Sequence, residues 1–184
     1  YSTGDTTLLA AVVGAALSPA HGARFPWPLL FEPLGITSAV WGQDAAGTYV
    51  GGSYLSATPR DLARFGWLLR HDGCWNGERV LPEGWVARST RVNEAIQQRD
   101  LDRSGGVQGR QLWLNQPLPS SELDERPWPD APPDLFAALG HWKQDIDVIP
   151  SLDLVIVRTG DDRDGTSFDR NAMLAAAIAL VEAR

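Results

Sequence analysis

The segment from Gly140 to Arg158 constrains the fold more than any other part of this 184-residue chain. It consists of Gly140-His-Trp-Lys-Gln144, then Asp145-Ile-Asp-Val-Ile-Pro150, then Leu152-Asp-Leu-Val-Ile-Val-Arg158. Short runs rich in Val and Ile that are bounded by turn residues are typical of strands. The pattern predicts a turn, a strand, a Pro-Ser reversal and a second, antiparallel strand. A polar cluster lies where the first strand begins, a place from which a rigid sheet aims side chains and backbone N–H groups at a ligand.

Three further segments have the patterns of helices. Asp5 precedes an apolar segment that extends to Leu17, which predicts a capped helix with a wide apolar face. Thr58-Pro59-Arg60-Asp61 predicts a helix start, with Thr58 as the cap, Pro59 as the first helical residue and Asp61 approximating a capping box. Residues 169–181 predict a final amphipathic helix that packs on one face of the sheet. The apolar face of the first helix comprises Leu8, Leu9, Val12, Val13, Ala16 and Leu17.

Between these elements the chain shows turn and loop signals. Asn76-Gly77 predicts a tight hairpin turn, and Gln111–Asn115 predicts a strand. The polar residues 93–108 predict a loop, and the proline-rich, acidic residues 116–133 predict an irregular surface excursion. We find no repeat and no internal boundary in the sequence, so residues 1–184 are predicted to belong to one domain.

Composition argues against several classes of function. The formal net charge is −7 and the pI is about 4.9, without the basic stripe that nucleic-acid binding requires. No apolar run approaches the roughly 20 residues that span a bilayer. Three scattered histidines do not form a zinc site, Asp161-Asp-Arg-Asp164 lacks a calcium-loop pattern, and Cys74 has no partner for an internal disulfide. We therefore predict no metal, no cofactor, no nucleic-acid partner and no membrane segment within this chain.

The first residues of the chain carry a second functional signal. Tyr1-Ser-Thr-Gly-Asp5 has residue types that occur in catalytic loops, and we predict a loop here that leads directly into the first helix. Together with the Gly140–Gln144 cluster, this loop suggests a hydrolase, but the residue that should attack the substrate is absent. Because the chain starts with Tyr and its best helix follows at once, we expect it to be a processed product, an engineered piece or a fragment of a larger domain.

Four stretches, in this order, carry a resemblance to a known family. Tyr1-Ser-Thr-Gly-Asp-Thr-Thr-Leu-Leu9 looks like its second motif, and Phe31-Glu-Pro-Leu-Gly35 resembles its phrase for a short helix and turn. Gly51-Gly-Ser-Tyr-Leu-Ser-Ala-Thr-Pro-Arg-Asp-Leu-Ala-Arg-Phe-Gly66 resembles its glycine-rich strand and following helix, and Gly140–Gln144 looks like its third motif. The chain thus resembles the serine hydrolases of the β-lactamase and penicillin-binding-protein fold, in the class C-like esterase branch near 6-aminohexanoate-dimer hydrolases. The resemblance implies an α/β (α+β) fold, with an antiparallel sheet flanked by helices and its N-terminal part missing.

The resemblance also implies where the catalytic groups lie. The family nucleophile is the Ser of Ser-x-x-Lys, and no Ser here has Lys three residues later, because Lys143 is the only lysine. That motif would lie upstream of Tyr1. Tyr1 would shuttle the proton between the missing Ser, its Lys partner and the leaving group. Since a free tyrosine ionises only near pH 10, it would depend on that cation to act as a base.

The remaining site residues are implied by the same motifs. Thr3, His141, Trp142 and Lys143 would contact the substrate, and the backbone N–H of Gln144 would be an oxyanion donor. Two positions depart from the family pattern. Thr3 stands where many relatives have Asn, and Lys143 stands where the family has a Gly that lets the substrate lie close to the strand. The side chain of Lys143 either reaches into the cleft and favours a carboxylate-bearing substrate, or points outward into solvent.

Two functions from different classes follow from these residues. In the first, the parent protein is a serine hydrolase of a small ester or amide, although this chain alone lacks the nucleophile. In the second, it is a catalytically inactive β-lactamase-like binding protein whose old cleft is blocked by Lys143. Ester, amide, peptide and β-lactam substrates all stay open, as does the oligomeric state. The resemblance favours a periplasmic or secreted location.

Overall fold

The computed structural model describes residues 3–92, 107–117, 126–163 and 168–183. The chain divides into two compact units, residues 1–65 and residues 66–184. Among the described residues, no helix is both long enough and apolar enough to cross a membrane.

The first unit consists of helices and one small antiparallel strand pair. Its elements are α1 (Thr3–His21), a π-helix (Trp27–Phe31), β1 (Val40–Trp41), β2 (Leu55–Ser56) and the first residues of α2 (Pro59–Arg70). The core of this unit is aromatic, because Tyr49 packs against Phe25 in an edge-to-face contact of 5.8 Å and against Trp41 at 4.9 Å. The Tyr49 hydroxyl donates to the carbonyl of Ala23 at 3.0 Å, which satisfies the polar end of this buried ring.

Helix α1 is longer than its sequence pattern predicts. It extends beyond Leu17 to His21 and ends at Gly22, which takes a left-handed φ of 76° and donates its N–H to the carbonyl of Ser18 at 2.8 Å. Asp5 lies in the first turn and does not precede the helix, so its predicted capping position is wrong. The predicted apolar face lies largely in solvent: no residue of α1 is buried, and Leu8 and Val12 are 67% and 60% exposed.

Helix α2 begins where Thr58 and Pro59 predicted it, but the capping box is wrong. The N–H of Asp61 donates to Thr58 Oγ1 at 3.3 Å, as an N-cap requires. The Asp61 carboxylate, however, accepts hydrogen bonds from the backbone N–H groups of Thr37 and Ser38 and does not return to Thr58. The N–H of Thr58 donates to the Ser38 hydroxyl at 2.9 Å. The helix start is thus fastened to the 37–38 loop.

In its described residues, the second unit is built on an antiparallel sheet of five strands that pair in chain order. The predicted strand at 144–149 is confirmed. The second strand, predicted at 152–158, begins only at Leu154, because Pro150–Leu152 at the Pro-Ser reversal forms a short 3-10 helix. The predicted loop at 93–108 is wrong at its end, which is a strand, while residues 93–106 lie outside the described residues. The strands are β5 (Val107–Gln108), β6 (Trp113–Leu114), β7 (Phe136–Gly140), β8 (Gln144–Ile149) and β9 (Leu154–Arg158).

Helices cover both faces of this sheet. The C-terminal helix α4 (Arg170–Glu182) begins as predicted, since Asp169 caps it by accepting from the N–H of Ala172 at 3.0 Å. It packs on one sheet face, where Leu174 and Ile178 join a buried cluster with Ala131, Leu135, Ala137 and Ile149. The last residues of α2 approach the other face at Gly66, where an added Cβ would lie 3.0 Å from the Ile146 side chain.

Between α2 and the sheet the chain also forms a hairpin and a short helix. The hairpin consists of β3 (Cys74–Trp75) and β4 (Glu78–Arg79) and turns at Asn76-Gly77 as predicted, and the helix is α3 (Trp85–Ser89).

The proline-rich excursion is less superficial than the sequence predicts. Residues 118–125 lie outside the described residues, but residues 126–133 are held by the buried side chain of Asn115. The Asn115 amide donates to the carbonyls of Trp128, Ala131 and Pro132, and it accepts from the N–H of Trp128 at 2.9 Å. One buried amide thus replaces secondary structure in satisfying the backbone of this segment.

Candidate active site

The polar cluster at Gly140–Gln144 forms the turn of a β-hairpin. Gly140 at the end of β7 pairs with Gln144 at the start of β8, and residues 141–143 connect them. This confirms the predicted turn followed by a strand. The side chains of His141, Trp142 and Lys143 are exposed, and the His141 and Trp142 rings lie 4.6 Å apart. The residues of this region that are predicted to contact the substrate therefore lie on one short turn that faces the solvent.

The backbone of this turn is left-handed at two non-glycine residues. Trp142 has a φ of 55° and Lys143 a φ of 65°. Side chains with a Cβ are disfavoured in this conformation, whereas glycine adopts it freely. The glycine that the family resemblance implies at position 143 would therefore also suit the backbone, and Lys143 holds the conformation at a cost.

The side chain of Lys143 stands free in the described part of the chain. It is exposed, and it forms no ion pair with any described residue. Its carbonyl oxygen, in contrast, accepts a 2.6 Å hydrogen bond from Arg158. The two alternatives for the amine, into a cleft or outward, stay predictions.

A buried charge cluster lies directly behind the turn, on the α4 face of the sheet. Asp145 and Asp147 alternate with apolar residues along β8, and both are buried. Arg170 forms a close ion pair with Asp147, lies 3.8 Å from Asp145 and stacks on the ring of Trp128 at 4.0 Å. Sequence reasoning missed this cluster, although acidic residues at alternate positions of an Ile- and Val-rich strand are a signal for one.

Burial decides the electrostatics of this cluster. Desolvation raises the pKa of the Asp145 carboxyl, although the positive charges of Arg170, Arg158 and Lys143 oppose that effect. Desolvation likewise lowers the pKa of Arg170 to about 10, against the attraction of Asp145. Arg170 therefore stays protonated at neutral pH, and the cluster holds charges whose hydration is incompletely replaced.

The other predicted site residues belong to the first unit. Tyr1 lies outside the described residues, and Thr3 is the first residue of α1, with its carbonyl accepting from the Thr7 hydroxyl at 2.9 Å. The Gly51-Gly52 pair lies against this helix start, because a Cβ on Gly52 would stand 2.9 Å from the Cα of Thr3. Thr3 and the His141 turn are in different units, so their predicted convergence with Tyr1 stays a prediction.

Two other features of the described residues bear on ligands. No group of three or more His, Cys, Asp or Glu side chains in these residues is placed to hold a metal ion. A cavity of about 360 Å³ lies in the second unit, and none of the predicted site residues lines it. Its walls include Leu69, Arg70, Val86, Leu114, Asp134 and Phe136.

No protein-family model matches the chain, and no curated protein matches it by sequence. Solved structures do match. The chain is similar to a 6-aminohexanoate-dimer hydrolase from Bacillus anthracis, with a TM-score of 0.65 and 20% identity over 99% of this chain and 42% of that one. It is similar to a β-lactamase from Mycobacterium bovis, with a TM-score of 0.70 and 20% identity over 98% of this chain and 63% of that one. It is also similar to a β-lactamase from Bacteroides dorei, with a TM-score of 0.56 and 15% identity over 93% of this chain and 56% of that one.

These similarities establish the fold. The chain spans less than two thirds of the length of each of these solved structures. At 15–20% identity, the likeness concerns architecture and does not transfer chemistry. The antiparallel sheet with helices on both faces and the C-terminal helix α4 agree with the predicted fold class. The chain has a β-lactamase-like α/β fold.

Proposed function

We propose that this chain is part of a serine hydrolase that cleaves an ester or amide bond in a small molecule through an acyl-enzyme. The nucleophile would be the Ser of a Ser-x-x-Lys motif upstream of Tyr1 in the full-length gene product. Its hydroxyl would attack the substrate carbonyl while Tyr1 takes the proton and passes it to the leaving group. Water would then hydrolyse the acyl-enzyme by the same route in reverse. The named hydrolase and β-lactamases of similar structure support this reaction class by analogy of fold.

The observation that carries the proposal is the exposed polar turn at the start of β8. Acyl transfer requires backbone N–H groups aimed at the oxygen that becomes negative. Gln144 is the first residue of β8 and pairs with β7, while the pairing of β8 with β9 begins only at Asp145. We propose that the N–H of Gln144 supplies one oxyanion donor and that of the upstream Ser the other.

The side chains of the turn would complete the substrate site. His141 would hydrogen-bond Tyr1 or the substrate carbonyl, and Trp142 would form a wall of the acyl pocket. Thr3 would also contact the substrate. We expect the Tyr1 hydroxyl and the His141 ring to lie within about one or two hydrogen-bond lengths, directly or across a water. A structure of the full-length gene product in which these groups lie on opposite faces would remove this assignment.

The test is to trap the acyl-enzyme. Full-length gene product is mixed with a p-nitrophenyl ester, quenched in acid and digested, and the acylated residue is located by mass spectrometry. We expect the adduct on a Ser of a Ser-x-x-Lys motif upstream of Tyr1. Tyr1→Phe should lower kcat/KM by about 10²- to 10⁴-fold, as the loss of a general acid–base group does. Tyr49→Phe is the matched control, because Tyr49 is buried in the first unit and bonds only a backbone carbonyl in the described residues.

The second candidate is a β-lactamase-like binding protein without catalysis. The observation that favours it is Lys143, which stands in place of the implied glycine and adds a long cationic side chain to the turn. In that case the trapping experiment gives no adduct, and the upstream sequence lacks Ser-x-x-Lys. Retained binding of an ester without turnover would then decide for this alternative.

A further inference from the structure

Arg158 lies at the end of β9, and its guanidinium group contacts three partners among the described residues. Nη1 donates to the carbonyl oxygen of Lys143 at 2.6 Å, and Nη2 forms a 2.6 Å ion pair with Asp162. The flat face of the group lies 3.7 Å from the ring centre of Phe168. The side chain is only 20% exposed. A planar guanidinium with a carbonyl, a carboxylate and an aromatic ring as partners is fixed in direction as well as in place.

A second link joins the same two segments. The Gln144 side-chain amide both donates to and accepts from the backbone of Gly160, with the Gly160 N–H to Oε1 bond at 3.1 Å. The same amide approaches the carbonyl of Trp142 at 3.3 Å. The His141–Gln144 turn is therefore fastened to the chain after β9 by Arg158 and by Gln144.

Local preference does not explain the shape of this turn. Trp142 and Lys143 are both left-handed, a conformation that side chains with a Cβ disfavour. The Arg158 bond reaches the carbonyl of one of these strained residues. Strained backbone persists only when its surroundings determine it, and both the pairing of β7 with β8 and the contacts from residues 158–160 surround this turn.

We propose that Arg158 is a positioning residue that holds the His141–Gln144 turn, and with it the Gln144 N–H and the His141 ring, in the geometry used for the reaction. The functional half of this inference rests on the proposed hydrolase activity, whereas the structural half does not. Arg158 bonds the backbone of Lys143 and not its side chain. It acts through the Lys143 carbonyl.

Gly160 offers an independent way to disturb the same contact. Its backbone does not require glycine, because φ is outside the left-handed region. A Cβ there would, however, lie 2.8 Å from Cζ of Arg158. Gly160→Ala should therefore displace the guanidinium without removing a charge, and Arg158→Lys should keep the charge while losing the fork that binds two partners at once.

The experiment measures backbone hydrogen exchange and ester hydrolysis in the full-length gene product. In Arg158→Met, and more weakly in Arg158→Lys and Gly160→Ala, we expect exchange in peptides covering residues 140–144 to rise at least about tenfold, as loss of a charge-assisted hydrogen bond allows. Exchange in β7 and in residues 145–149 should stay unchanged. For a p-nitrophenyl ester, kcat should fall about tenfold or more with little change in KM, because the lost effect is on transition-state geometry.

Arg163 provides the matched control. Its guanidinium stacks on the Trp142 ring at 4.4 Å and pairs with Asp161, but in the described residues it makes no bond to the backbone of the turn. Arg163→Met should leave exchange in residues 140–144 unchanged. Unaltered exchange at residues 140–144 in Arg158→Met and Gly160→Ala would overturn the inference, and so would faster exchange with unchanged kcat. If Arg158→Met does not fold, Gly160→Ala decides alone. If the wild-type protein hydrolyses no ester, the proposed function fails, and the exchange data still decide whether Arg158 holds the turn.

Discussion

Ser38 binds Asp61 through both its backbone and its side chain. The Ser38 N–H donates to Asp61 Oδ2 at 3.0 Å and the hydroxyl donates to the same oxygen at 2.7 Å. Asp61 is only 4% exposed, and Arg64 pairs with its other oxygen at 2.5 Å. The Ser38 hydroxyl bond is the largest cause that lowers the pKa of the Asp61 carboxyl, and burial opposes it. A loop and the start of α2 are thus joined by one ionised carboxylate.

Ser38→Ala should destabilise the protein by about 2 kcal/mol at pH 7, because it removes a hydrogen bond to a buried charged group. The fold lowers the pKa of Asp61 from its unfolded value of 3.8. The contribution of the charged Asp61 carboxylate to stability is therefore complete above pH 3.8 and is lost as the pH falls through the folded pKa. The deficit of Ser38→Ala should therefore shrink at pH 3. Urea unfolding of the full-length gene product at both pH values measures it. The exposed Ser56 gives the control Ser56→Ala, which should change stability by less than about 0.5 kcal/mol. Equal deficits at pH 7 and pH 3 would count against the charged bond.

Neutralising Asp145 and neutralising Asp147 should have different effects on the stability of the protein. The raised pKa of Asp145 means that the fold disfavours the charged form of this carboxyl. Its contribution to the stability of the protein is therefore complete below pH 3.8, the unfolded pKa, and is lost as the pH rises through the folded pKa. Asp145→Asn should then be neutral or stabilising at pH 7, and any gain should vanish below the unfolded pKa. Asp147→Asn removes the close partner of the buried Arg170 and should cost about 3 kcal/mol. Thermal and urea unfolding of the two variants, which lie two residues apart on one strand, give the comparison. A loss in Asp145→Asn as large as that in Asp147→Asn would contradict the assignment.

The exposed face of α1 predicts the behaviour of the isolated 184-residue chain. Leu8, Leu9, Val12 and Val13 are 43–67% exposed on one helix, and contiguous apolar surface of this kind promotes association. We expect the isolated chain to self-associate, to bind a hydrophobic dye and to be inactive on p-nitrophenyl esters. Leu8→Ser with Val12→Ser should reduce dye binding, whereas Leu180→Ser, at an exposed leucine of α4, should not. Ester hydrolysis by the isolated chain that Tyr1→Phe abolishes would show that this expectation is wrong.

Local patterns were sufficient to predict the elements whose own residues determine them. The Val- and Ile-rich strands β8 and β9, the Asn76-Gly77 turn and the helix α4 all follow from short-range chemistry. Strand β7 was not predicted, because its Phe-Ala-Ala-Leu-Gly sequence has neither β-branched residues nor alternation, and its conformation comes from pairing with β8.

The candidate site also has one feature that could be predicted from the local sequence and others that could not. The position of the His141–Gln144 turn was predictable from the strand that follows it. Its left-handed backbone and its attachment to Arg158 and Gly160 could not be predicted, since the partners lie 15 and 16 residues away in sequence and their contacts depend on the register of β8 with β9. Asn115 is a comparable case, because nothing in its sequence context indicates that its amide satisfies three carbonyls of a later segment.

Replacing Lys143 with glycine tests both the backbone and the charge of the turn. Lys143 holds a φ of 65°, so Lys143→Gly should not destabilise the protein and should relieve about 1 kcal/mol of strain, offset in part by the flexibility of glycine when unfolded. If the amine binds substrate, the variant should also lose about tenfold in kcat/KM on an ester bearing a carboxylate, relative to a neutral ester, because one charge-assisted bond is removed. Steady-state kinetics of the full-length gene product on the two esters give this ratio.

The control for that experiment is Asn76→Gly, which changes another left-handed turn residue, at a φ of 49°, without changing a charge. It should leave the ratio of the two kcat/KM values as in the wild type. An unchanged ratio in Lys143→Gly as well would place the amine in solvent and remove its selective role. A ratio that moves in Lys143→Gly alone, and that moves less at high ionic strength, would identify Lys143 as the group that recognises an acidic substrate, since salt screens an exposed charge pair.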